Sequence, residues 1–159
     1  MPSQMLSSDI ERGVQQFLRQ QMQDLPEGAV DSLGEKDISE GDQLVFQTPC
    51  VRTRYLGVDY VPMRDNTALA YQAPHLVEIW CADEDMRSKE AEREATKRLL
   101  DRVTPIICGA RIPLSDDPGV TSDPILLRRV YSLIQDIVGS VYILVIEVNG
   151  VAQFPGLNE

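Results

Sequence analysis

The chain has 159 residues, 43% of them hydrophobic, and 25 acidic against 15 basic side chains give it a net charge of −10. That length makes one domain over 1–159 with enough apolar content for a core, and the charge argues against a protein that grips phosphate backbones or anionic membranes. The start, MPSQMLSSDI, has neither the basic opening nor the apolar segment of a secretory signal, and the longest strongly apolar run is the six residues 141–146, too short to span a bilayer. Cys50, Cys81 and Cys108 are odd in number and form no C-x-x-C, so reduced, buried thiols in a cytosolic product are expected.

In chain order, Ser8 and Glu11 have the spacing of a capping box, and Ile10, Val14, Phe17, Leu18 and Met22 follow at helical spacing, predicting a helix over 9–24 that stops before Pro26. Residues 24–42 then hold seven acids against Lys36 alone, the composition of an exposed loop or arm. LVFQTP and VRTRYLGVDYVPM read as strands; in the second, Val51, Thr53 and Tyr55 alternate with Arg52 and Arg54. HLVEIWCA, 75–82, is a further strand leading into a helix over 83–103 with a thin apolar stripe of Ala91, Ala95, Leu99 and Val103. Asp83, Glu84 and Asp85 suit its positive start, and Asp85–Lys89 and Glu94–Arg98 are spaced as i,i+4 pairs.

Pro113, Asp116, Asp117, Pro118 and Gly119 mark a loop. Asp123 and Pro124 then suit an N-cap and first helical residue, and Leu127, Val130, Tyr131, Ile134, Ile137 and Val138 recur at helical spacing, so a helix is expected over 124–138. The β-branched and aromatic content of LLRRVYSL keeps a strand as the alternative. The stretch VYILVIEV, 141–148, is a strand apolar on both faces, which raises the question of what covers the second one. Asn149-Gly150 between it and 151–154 predicts a hairpin. The fold class is therefore α+β, a mostly antiparallel sheet with helices packed on it and a C-terminal β-hairpin.

Chemistry-bearing patterns are sparse. His75 is the single histidine and nothing in the spacing ties it to Cys108, so a Cys–His nucleophile is a minor reading and a plain strand residue the better one. DEDMRSKE lacks the alternating acids and central glycine of a calcium loop, Asp116-Asp117 suits a turn, and Trp80 suits a core. No phosphate-cradling glycine loop or nucleophile elbow is present. No cofactor, metal or catalytic residue is expected.

The element order, with PHLVEIWCADEDMRSKEAEREATKRLLDRV running from strand to charged helix and VYILVIEVNG closing the fold, resembles the tail terminator and neck terminator proteins of tailed phages, in particular the Mu-like prophage tail-terminator group. The resemblance covers about 40–154; the acidic 24–42 stretch is longer than it requires. It implies a non-enzymatic virion protein at the head-proximal end of the tail, assembled in the host cytoplasm. Its copies would form a ring, expected to be a hexamer, that stops tube polymerisation and meets the tail tube protein, a sheath protein in a contractile tail, and neck or head-completion proteins. DNA would pass through without specific binding, and acids on the lumen would repel phosphates.

On this reading Asp31, Glu35, Asp37, Glu40 and Asp42 are candidates for the lumen, against the plainer reading of a solvated arm. Ile10, Val14, Phe17, Tyr142, Leu144, Ile146 and Val148 are candidates for the subunit seam, against burial within the chain. Asp116, Asp117 and Val120 are candidates for a tube or neck docking loop. The alternative function is an acidic protein-binding module or a DNA-mimicking inhibitor.

Overall fold

The structure is a computed structural model and describes residues 7–37, 46–63, 69–83, 89–113, 121–133 and 141–154. Helix α1 (Ser7–Gln21) is followed by β1 (Val30–Ser32), a 3₁₀ turn (Glu35–Asp37), β2 (Cys50–Val58), β3 (Val61–Pro62), β4 (Leu69–Gln72), β5 (His75–Ala82), α2 (Lys89–Ile107), β6 (Leu126–Leu133), β7 (Val141–Val148) and β8 (Val151–Phe154). Five strands form one sheet in the order β1-β2-β5-β7-β6, and β3-β4-β8 form a second. Every pairing is antiparallel except β1 with β2, so the α+β expectation with a mostly antiparallel sheet holds.

Both helices lie on the same face of the large sheet: α1 against β1 and β2, α2 against β5 and β7. Alternation puts Val77, Ile79 and Cys81 of β5 and Leu144, Ile146 and Val148 of β7 on that face, where they join Ile10, Val14 and Leu18 of α1 and Leu99, Val103 and Ile107 of α2 in one core. Gly13 permits a close approach, since a Cβ there would lie 2.9 Å from the Pro113 carbonyl oxygen. The stripe expected on α2 is borne out at Ala95, Leu99 and Val103, all buried. The helix runs on through Pro105, past the expected end, and Glu94 pairs with Lys97 rather than Arg98.

Five local expectations are corrected. Glu11 does not close a capping box: its carboxylate accepts hydrogen bonds from Ser32 and Thr53 across to the sheet, both at 2.9 Å. Of LVFQTP, the described residues 46–49 are not a strand, and the ladder starts at Cys50. Residues 126–133, expected in a helix, are strand β6, the alternative that β-branched and aromatic content had offered. Asp123 caps nothing; its amide donates to the Asn149 carbonyl at 2.8 Å.

The fifth is the C-terminal hairpin. β7 pairs with β5 and β6, whereas β8 pairs with β4, so Asn149-Gly150 carries the chain from one sheet to the other. The turn is fixed by its carbonyls: Asn149 accepts from the Asp123 amide and Gly150 from the Ala73 amide at 3.0 Å. Ala73, Val148 and Ala152 are buried there, tying the small sheet to the main core.

Candidate functional site

The far face of the large sheet, opposite the helices, answers the question raised by 141–148. At one end Val141 and Ile143 pack with Cys50, Trp80 and Ala82, and Leu33, Phe46, Tyr131 and Leu133 pack over them. The second apolar face of β7 is covered from within the chain.

The other end of that face is polar. Two carboxylates stand in the middle of apolar strands, Glu78 on β5 and Glu147 on β7, with side chains only 6% and 10% exposed. A buried carboxylate is retained only where donors surround it. Glu78 accepts from the Trp80 indole at 3.3 Å and the Tyr131 hydroxyl, with the Arg54 guanidinium 3.6 Å away. Glu147 accepts from Arg128 Nε at 3.1 Å and Asn149 Nδ2 at 2.8 Å. Burial opposes ionisation of Glu147, but the Asn149 and Arg128 bonds outweigh it and hold the carboxyl below its usual range. Burial, then the bond to Glu78, pushes the Tyr131 phenol up to about 12.

The arginines are on the outside. Arg54 and Arg128 side chains are more than half exposed, while the acids they serve lie beneath. A β-bulge between Leu127 and Arg129 lets two consecutive arginines serve one face, Arg128 reaching Glu147 and Arg129 stacking 4.7 Å over the Tyr131 ring. Beside them a cleft of about 650 Å³ opens between Leu56, Leu76, Val145 and Arg128. Sequence reasoning missed this arrangement. Its signal was a lone glutamate inside each of two apolar strands, which requires donors from neighbouring strands.

The opposite edge carries the acids. Asp37, expected on a lumen, is buried beneath Arg52, their side chains 2% and 5% exposed and 3.0 Å apart; it cannot line a channel in this fold. Arg52 also donates to the Gly28 carbonyl at 3.1 Å, so the pair pins the 24–37 segment to β2. Asp31 pairs with Lys36, whose hydrogen bond holds its carboxyl below the usual range despite some burial. Glu27 and Glu35 are exposed. The segment read as an arm thus holds an edge strand and a 3₁₀ turn; Glu40 and Asp42 lie outside the described residues.

The expected seam is also corrected. Ile10, Val14, Leu144, Ile146 and Val148 are at most 1% exposed in the chain's own core, so these five are not a surface; Phe17 and Tyr142 are half-buried against that core. The docking-loop residues Asp116, Asp117 and Val120 lie outside the described residues. His75 is buried and its Nδ1 lies 2.8 Å from the Tyr55 hydroxyl rather than from a thiol. Burial drives the Cys50 thiol up to about 11 and raises Cys81 further, while Cys108 is exposed. Among the described residues no cluster of three potential metal ligands occurs and no helix is long and apolar enough to cross a membrane.

No protein-family model matches the chain, and no curated protein matches it in sequence. Its fold is similar to that of a chain in the solved structure of the virion of a native gene transfer agent (GTA) particle. The TM-score is 0.55 at 13% identity, over 96% of this chain and 100% of that one.

Proposed function

We propose that this chain is a structural component of a phage-like virion, and within it a ring-forming terminator at the head-proximal end of the tail. The observation that carries the virion reading is the shared fold with a component of the GTA particle, which spans nearly all of both chains. The terminator role rests on the resemblance in element order. In this reading a ring of copies, six by that resemblance, caps the tail tube, meets neck proteins and the sheath where one exists, and passes DNA without gripping it. The net charge of −10 supports the last point.

The DNA-mimic reading is less well supported. A mimic needs free carboxylates spaced like phosphates, whereas Asp24, Asp31 and Asp37 are matched with Arg102, Lys36 and Arg52. The test is deletion of the gene in the strain that produces the particles, followed by electron microscopy. Tails of uncontrolled length that fail to join heads are expected, with rescue by the intact gene. Normal particles from the deletion strain would sink the proposal.

A further inference from the structure

We propose that the two ends of the five-stranded sheet are the two halves of one head-to-tail contact, the β6 edge of one copy seating against the acidic β1 rim of the next. This deepens the ring-forming reading and rests on it. Among the described residues β6 is an edge strand with one side of its ladder unpaired, and it exposes three large apolar residues, Leu126 at 50%, Leu127 at 37% and Val130 at 47%. Exposed apolar edges are aggregation templates unless a partner or a blunting device manages them. Here the devices are the bulge and the adjacent Arg128 and Arg129, which leave the edge selective rather than closed.

Charge selects the partner. Two copies at −10 each repel except where cations project, and β6 holds two arginines and no acid. Laying β6 against β6 would oppose arginine to arginine, which disfavours a two-fold contact. The complementary surface lies at the other end of the same sheet, where Glu27 and Glu35 stand exposed on either side of β1, Asp31 of that strand being already engaged by Lys36 and Arg19. β1 is not open for ladder addition, because Arg19 donates to the Val30 carbonyl from Nε at 3.0 Å and from Nη2 at 2.8 Å. The contact there is therefore made by side chains: carboxylates meet Arg128 and Arg129 on the far face of the sheet, beside Leu126, while Leu127 and Val130, on the helix side of the same edge, are covered with them. A contact between two different ends of one body is heterologous, and repeating it closes a ring or extends a filament.

The test uses the full chain in a Cys108→Ser background, with Val130→Cys and Glu35→Cys variants purified separately and treated with a short bismaleimide. Cross-linked dimers are expected when the two are mixed and not from either alone. In parallel, sedimentation should show that Arg129→Glu weakens self-association by about tenfold and that adding Glu35→Arg restores it. Leu126→Ser, which changes no charge, should weaken it as well, with circular dichroism checking that each variant is folded. Cross-linking of Val130→Cys with itself, or self-association indifferent to Arg129→Glu, would overturn the seam. So would intact particles that contain the chain but yield no 130–35 cross-link; these would leave the virion reading standing. A cross-link in solution by a chain absent from particles would instead remove the virion reading and keep the seam.

Discussion

β6 and β7 are hydrogen-bonded neighbours of eight residues each, both more than half apolar, yet they do opposite things. β7 sits between two strands with helices on one face and the Trp80 cluster on the other, and seven of its eight residues are buried. β6 is the last strand, and none of its residues is buried. The difference is one of position: an interior strand has both ladders filled and both faces covered, whereas an edge strand has one of each left over for another molecule. An apolar majority alone does not separate a core strand from an edge strand.

Truncating the interior strand should have the largest effect. Ile146→Ala is expected to cost about 2–5 kcal/mol in urea denaturation, the range for emptying a packed core site. A cost below about 1 kcal/mol would mean that β7 is less enclosed than its burial indicates.

The bonds that join edge to interior come next. Tyr131→Phe removes a donor from the buried Glu78 carboxylate and is expected to cost about 1–3 kcal/mol. It carries a pH signature as well. The phenol titrates near 10 unfolded and about 12 folded, so its contribution is complete below pH 10 and lost as pH rises towards 12. The variant should lack that part of the alkaline loss.

A smaller effect is expected at Glu147, at the other end of the pH scale. Its carboxyl is lowered from 4.5 in the fold, so its contribution is present above that value and lost as pH falls through the folded one. Glu147→Gln should flatten the acid limb of the stability curve. Arg128→Ala should do the same at a cost of under about 1 kcal/mol at neutral pH, because Arg128 is more than half exposed.

The smallest effect sharpens the contrast most. Val130→Thr on β6 should change monomer stability by less than about 0.5 kcal/mol. If β6 is a contact strand, the same change should still weaken self-association, a split between folding and assembly that Ile146→Ala cannot show.

Where local pattern and tertiary environment agreed, the sequence was legible. Helix α1, strand β5 over His75–Ala82 and strand β7 follow from spacing and β-branched runs, and the buried stripe of α2 follows from its alanines and leucines. Misreadings fell where two patterns coexist. Leu127, Val130 and Tyr131 satisfy a helical period, but the strand is decided by the eight-residue ladder that β7 offers. Asn149-Gly150 does make a turn, yet where the chain goes afterwards depends on β4 standing ready as a partner for β8.

The amino-acid order by itself determined the elements whose periodicity is unambiguous, the α+β class and the surplus of negative charge, because these depend on neighbours within a few residues. Only the tertiary structure decided that Asp37 is buried under Arg52, that Glu78 and Glu147 lie beneath a row of arginines, and that β6 rather than β7 faces outward. Burial and ion pairing join residues far apart in the chain, and a strand's place at the middle or the edge of a sheet belongs to the whole sheet.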